Sequence, residues 1–213
     1  MRYLMLMAAL LMCVTPAQSQ VTAAAYAPLS HCGTERWHIK TLDDAGVNHI
    51  SNTPKTATIS AMNALAVPAG FNANNDTSRY TPVEFEKFTI DALVTGFKEE
   101  SDRDFHIVIA DPNHTSVTMI AEIPDPQCST MKVSGHAQEI ASVRNAFTAC
   151  FGAPPAGGQF KKLAKSVRVQ IMGIGFFDRL HGQTGVAKNG IELHPAMSIT
   201  ASGACPVSGQ GSK

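Results

Sequence analysis

Hydrophobic and polar residues alternate along three successive stretches of the chain. In 85–98, Phe88, Ile90, Ala92 and Val94 alternate with Thr89, Asp91, Leu93 and Thr95. A period of two puts each set on its own face of a β-strand. The charged run EESDRD at 99–104 reads as a turn. Phe105, Ile107 and Ile109 then share one face of a second strand, with His106, Val108 and Ala110 on the other. Asp111-Pro112-Asn113-His114 is turn chemistry. Val117, Met119, Ala121 and Ile123 repeat the alternation until Pro124-Asp125-Pro126 stops it. The period then changes. Ile140, Val143, Phe147 and Cys150 stand at i, i+3, i+7 and i+10, which predicts a helix. Val167, Val169 and Ile171 begin a fourth strand that runs through Gly173 and Gly175 to Phe177, and Ile191 to Ile199 forms a fifth. Glycines at two inward positions predict sharp coiling of the fourth strand.

The resulting order, β-β-β-α-β-β, describes a mainly β chain with one or two helices. It matches the five-stranded oligonucleotide/oligosaccharide-binding (OB) barrel. A mixed α+β sheet or another small barrel has the same element order. The pattern before residue 83 is weaker. ERWHIKT at 35–41 reads as a short strand, and ATISAMNALA at 57–66 as a short helix ended by Pro68. PAGFNANNDTSRYTP at 68–82 reads as a linker or exposed loop. The expected organisation is an N-terminal arm and linker over 20–82, an OB-like barrel over 83–200 and a C-terminal tail over 201–213.

The first residues change the picture of where the chain folds. Arg2 precedes an apolar run from Leu4 to Val14, Pro16 breaks it, and Ala17-Gln18-Ser19 offers small residues to signal peptidase. The run is about 11 residues, whereas a membrane span needs about 20. Residues 1–19 are therefore expected to be a cleaved signal peptide, with export to the periplasm or medium. No later stretch is long and apolar enough to span a bilayer. The remaining chain, roughly 190 residues, suits one domain. It keeps Cys32, Cys128, Cys150 and Cys205, an even count that predicts two disulfides with the connectivity open. No C-x-x-C zinc spacing occurs.

Lys plus Arg and Asp plus Glu both number 17, so no global field draws the chain to polyanions. Lys161, Lys162, Lys165 and Arg168 form a local basic cluster, most simply a solvated loop and helix end. Nucleic acid is therefore a weakly supported partner.

Candidate chemistry concentrates in 173–195, GIGFFDRLHGQTGVAKNGIELHP. Asp178, His181, Gln183, Lys188 and Asn189 crowd one loop, and Gly182, Gly185 and Gly190 let it turn tightly. In an OB barrel the loop between the last two strands borders the ligand face together with the first hairpin turn. Glu192 and His194 alternate with Ile191 and Leu193 and are expected to point away from the core. His106 and Glu122 become neighbours if the second and third strands pair. The ligand-binding candidates are thus His106, Glu122, Asp178, His181, Gln183, Asn189, Glu192 and His194. Asp178, His181, Glu192 and His194 could instead hold a divalent metal; the sequence indicates no other cofactor. The plain alternative is a tight turn whose polar groups bond its own backbone, beside a structural His106–Glu122 cross-strand pair. No G-x-S-x-G, H-E-x-x-H or P-loop is present. The expected function is an exported binding module for an oligomeric or small polar ligand on the barrel face, with any activity depending on 178–194 more than on the N-terminal arm. A metal-assisted hydrolase, for example of phosphodiesters, and a structural envelope protein are the alternatives.

Four stretches, CGTERWHIKTLDD (32–44), ESDRDFHIVIADP (100–112), MIAEIPDPQC (119–128) and above all GFFDRLHGQTGVAKNGIELHP (175–195), resemble a family of small, exported, largely uncharacterised bacterial proteins. The resemblance implies an extracytoplasmic location and supplies no reaction. It implies a characteristic set of Trp37, Lys40, Asp43, His106, Asp111, Glu122, Asp125, Asp178, His181, Gln183, Asn189, Glu192 and His194. It also implies glycine where Leu42 stands. The signal reading predicts that protein recovered from a periplasmic or culture fraction begins at Gln20 by intact mass. A soluble extracytoplasmic form that keeps Met1 would refute it.

Overall fold

The alternating stretches form strands, as their period requires, but they pair in a more closed pattern than any single hairpin shows. The structure, a computed structural model, describes residues 32–75 and 77–207; the signal segment, the Gln20 cleavage point and the end of the tail lie outside them. Strands β1 (Lys55–Ala57), β2 (Lys87–Glu99), β3 (Phe105–Ala110), β4 (Thr118–Ile123), β5 (Lys161–Phe177) and β6 (Ile191–Ala201) make one six-stranded mixed sheet. Its order is β1-β2-β3-β4-β6-β5, and β5 also pairs with β2. From β2 the ladder therefore runs through β3, β4, β6 and β5 and returns to β2. The β4–β6 and β1–β2 pairs are parallel, and the rest are antiparallel.

Two local readings are corrected. Residues 35–41 are not a strand: Trp37–Lys40 is a single helical turn, α1, entered from Arg36 in the left-handed region and closed by Thr41 Oγ1 donating to the Trp37 carbonyl. The alternation of Trp37 and Ile39 reflects two separately buried side chains, not a pleat. The second correction is β1, a sixth strand inside the stretch read as irregular; it holds only three residues, too few to show a period. Helix α2 (Ile59–Asn63) follows it, capped by Thr58, whose hydroxyl accepts from the Ala61 N–H. Helices α3 (Ser129–Val133) and α4 (Ala137–Phe151) lie between β4 and β5. The basic cluster 161–168 lies on β5 and not on a loop or helix end, with Arg168 paired to Asp91 across the ladder.

The core follows the period-two faces. Ile90, Ala92 and Val94 of β2 meet Ile107 and Ile109 of β3, Ala121 of β4, Val169 and Ile171 of β5 and Leu193 of β6. Helix α4 closes it with Ile140, Phe147 and Phe151; Phe147 stacks on Phe151 and meets Phe97 edge-on at 4.9 Å. Trp37, Leu42, Ile59 and Met62 join the same core from the N-terminal stretch. Gly173 sits where the β5–β6 register shifts, and a Cβ there would come within 2.8 Å of the Pro195 carbonyl oxygen. Strand β6 crosses β5 too closely for any other residue.

Two disulfides, Cys32–Cys128 and Cys150–Cys205, tie the N-terminal stretch to the start of α3 and the end of α4 to the segment after β6. No helix among the described residues is long and apolar enough to cross a membrane. Leu42 holds φ 60 with its side chain fully buried. Burial of the leucine offsets a left-handed backbone that costs about 1–2 kcal/mol.

Arg36 is completely buried, and all of its N–H groups are used. It forms a two-pronged pair with Glu84 at 2.6 and 2.7 Å and donates to the carbonyls of Asn75, Ser78 and Phe177. Glu84 in turn accepts the backbone N–H groups of Tyr80 and Phe177. Removing one charge of such a pair leaves the other buried and uncompensated, at a cost of roughly 3–5 kcal/mol. Glu84→Gln is therefore expected to lose stability on that scale in denaturant titration. A change below about 1 kcal/mol would show that the pair does not hold the fold.

Candidate functional site: a buried network of carboxylates and histidines

Strands β3, β4 and β6 carry polar side chains on the face turned from the apolar core, and that face is itself covered. His106 on β3 lies opposite Glu122 on β4, and Glu192 of β6 lies beside Ile120. Glu192 and His194, expected to point away from the core, do leave it but are only 2 % and 0 % exposed. Alternation gives the side of a strand. Whether that side meets water depends on what packs over it, here α1 and the 178–190 loop. Gly185 of that loop lies against Val108, and Phe176 packs on the His194 ring.

The contacts form one network. Nδ1 of His106 lies 2.9 Å from Glu122 Oε1, and its Nε2 lies 2.9 Å from the Thr184 carbonyl. A carbonyl can only accept, so Nε2 carries a proton; the Glu122 carboxylate also accepts, so Nδ1 carries one too. His106 is thus an imidazolium. Burial opposes its charge, but the bond and charge of Glu122 outweigh burial and raise the pKa. Nδ1 of His194 lies 3.0 Å from Glu192 Oε1 and 3.2 Å from Glu122 Oε2; its Nε2 lies 3.3 Å from Asp104 Oδ2 without hydrogen-bond geometry. Lys40 Nζ reaches Asp178 Oδ2 at 3.6 Å and sits over Phe176.

Burial acts first on every member, and neighbours decide the outcome. Glu122 is held well below the usual carboxylate range, because the bonds of His106 and His194 exceed its desolvation. Asp104 is pushed up by burial. Asp102 and Glu192 are each pushed up to about 7, by burial and then by neighbouring carboxylates. His194 is raised well above its ordinary value: burial disfavours its charge, but Asp104, Glu122 and Glu192 surround it. Lys40 is raised too, Asp178 foremost overriding desolvation.

An open cavity of about 390 Å³ adjoins the network. Its walls are Glu35 and Lys40 from the N-terminal stretch, Glu100 and Asp102 from the β2–β3 turn, Glu122 from β4, and Asp178, Arg179, His181 and Gln183 from the β5–β6 loop. The N-terminal stretch, expected to matter less than 178–194, supplies two titratable groups, Glu35 and Lys40. Of the eight sequence candidates, His106, Glu122, Glu192 and His194 share the network, and Asp178 joins it through Lys40. His181 lies exposed at the rim, and Gln183 spans its own loop, donating to the Arg179 carbonyl. Asn189 is structural, donating to the carbonyls of Met62 and Leu65. Asp178, His181, Glu192 and His194 are not brought together as one metal set: Asp178 turns to Lys40, and His181 stays on the rim. Among the described residues, the groups with metal-ligand spacing are Asp104, Glu122 and His194, and Glu100, His106 and Glu122. Asp104 and Asp102 escaped notice inside a run that reads as a solvated turn; the only signal was the density of acids immediately before His106.

No protein-family model matches the chain, and no curated protein matches it. Among solved structures, the crystal structure of a "putative aspartyl-tRNA synthetase" from Leishmania major Friedlin is similar at a TM-score of 0.36 and 12% identity, over 71% of this chain and 21% of that one. The chain thus spans a small part of that protein, and at this score the likeness carries no argument about this one.

Proton linkage gives the network a pH signature. Asp102 and Glu192 bind protons in the folded state up to about pH 7 that the unfolded chain has already lost. His106 and His194 likewise keep protons above their unfolded range. The folded state therefore holds more protons from about pH 5 upward, and stability falls as pH rises. In chelating buffer, the thermal midpoint should be higher at pH 5.5 than at pH 8, and Glu192→Gln should flatten the slope. A midpoint that rises over this interval would contradict the assignment.

Proposed function

We propose that the chain is an exported binding module built on a five-stranded OB-like barrel, with its ligand in the cavity between the β2–β3 turn and the β5–β6 loop. One observation carries the reading: a partly enclosed polar cavity lies between the two loops that flank the ligand face of an OB barrel. The closed circuit of β2, β3, β4, β6 and β5 supports that fold, with β1 as an added edge strand. The cavity volume suits a small molecule or one end of an oligomer. Its lining favours a cationic or hydroxyl-rich ligand. Five carboxylates, Glu35, Glu100, Asp102, Glu122 and Asp178, face it against two permanent cations, Lys40 and Arg179. Nucleic acid is disfavoured for the same reason, since phosphates would meet carboxylates.

The two disulfides support folding outside the cytoplasm. The family resemblance adds a further support. Lys40, His106, Glu122, Asp178, Glu192 and His194, all in its pattern, meet in this one network, so the site reading extends to that family. A second reading, hydrolysis, is favoured by Asp102 and Glu122: they share the cavity, one held protonated toward neutrality and the other ionised, the division of roles that acid–base catalysis uses.

Spermidine and glucosamine, titrated calorimetrically, probe the cavity. Saturable binding should tighten from pH 6 to pH 8 as Asp102 ionises, and Asp102→Asn should weaken it about tenfold, the loss of roughly 1.4 kcal/mol. Binding of single-stranded oligonucleotide in place of these cations would reverse the charge argument. Turnover of ester or phosphodiester substrates, abolished by Asp102→Asn, would favour the hydrolase.

A further inference from the structure

Asp104 and His194 are both fully buried, and the atoms they turn toward each other are unsatisfied. Neither oxygen of Asp104 has a hydrogen-bond partner, nor does Nε2 of His194. Oδ2 and Nε2 meet only as an ion pair and Oδ1 has no partner, whereas buried polar atoms are nearly always hydrogen-bonded, so a partner is missing at this point. The Nε2 to Oδ2 separation is 3.3 Å. Two donors bound at about 2.1 Å to one ion stand roughly 3.0–3.4 Å apart, from octahedral to tetrahedral angles. The other side of the imidazole is already arranged as a metal-bound histidine requires: Nδ1 bonds Glu192, which orients the ring and leaves Nε2 for the ion. A ligating atom from each of Asp104, Glu122 and His194 lies within 4.8 Å of the others.

We infer that Asp104, His194 and Glu122 form a site for one divalent transition-metal ion, reached through the cavity. One imidazole with carboxylates is a borderline-to-hard donor set, suited to zinc or manganese and not to copper(I) or a thiolate metal. Glu122 and the neighbouring Asp102 line the cavity, so the ion has a hydrated way in. The inference does not rest on the cavity's organic ligand. Chelator-stripped protein could bind manganese and ignore spermidine, or the reverse, and the two titrations are read separately.

The test uses full mature protein, stripped with chelator and titrated with MnCl₂ and then with ZnCl₂ in competition. The expected result is one saturable ion per chain, with zinc displacing manganese. Pulsed electron paramagnetic resonance of bound Mn²⁺ should show coupling to one imidazole nitrogen. Asp104→Asn, close in shape, should weaken manganese binding at least tenfold while its circular dichroism matches wild type. Absence of saturable binding, bound manganese without nitrogen coupling, or unchanged affinity in a folded Asp104→Asn protein would each overturn the site. Should Asp104→Asn fail to fold, the stoichiometry and nitrogen coupling of the wild type decide alone.

Discussion

The Arg36–Glu84 pair is the contact on which the site geometry depends. A buried guanidinium needs every donor matched, and Arg36 matches its own by drawing together two distant stretches of chain: Asn75, Ser78 and Glu84 from 75–84, and the Phe177 carbonyl at the end of β5. A second buried pair, Arg79 with Asp44, locks the same region from the other side and donates to the Ile39 carbonyl. These charges cannot slide, because any displacement strands one of them away from water. Lys40 lies one helical turn after Arg36, and Asp178 follows Phe177 directly. The clamp that fixes Arg36 to Phe177 thus also sets Lys40 against Asp178 and forms one wall of the cavity.

The network behind that wall follows a different logic. An interior of ordinary domains avoids ionised groups unless they are paired. Here four buried carboxylates, the half-buried Asp102 and three cationic groups adjoin one another, and their proton affinities spread apart as a result. Glu122 takes the favourable position between two histidines and stays ionised, so Glu192 and Asp102, further from compensation, hold their protons toward neutrality. Such an arrangement is costly for stability alone, since apolar residues of similar volume would pack at least as well. That cost is the physical support for the site proposed above. The contrast with Asn189, whose bonds only anchor a loop to α2, shows what a purely structural polar residue looks like in the same chain.

Much of the fold was legible because period-two patterns are a local consequence of the pleat. Strands β2 to β6 and helix α4 stand close to where alternation and the 3.6-residue repeat put them, and the pairing of His106 with Glu122 followed once β3 and β4 were seen as neighbours. Short elements were not legible. Three residues of β1 and one turn of α1 contain no full period, and their form comes from the sheet and the core they join. The burial of Glu192 and His194 was not legible for a related reason: alternation reports which side of β6 they occupy and is silent about the segments folded over it.

By itself, then, the sequence determined the period of each long strand, the even cysteine count that allowed two bonds, and the crowding of polar groups around 178–194. These depend on neighbours in the chain. The tertiary structure alone decided the cysteine partners, the closure of the ladder from β5 to β2, and the meeting of Lys40, Asp104, Glu122 and His194. Those residues lie far apart in sequence, and nothing in a local pattern encodes which distant groups will share a buried space. Their proximity is a property of the packed chain, because the fold that excludes water from them is also what brings their charges within reach of one another.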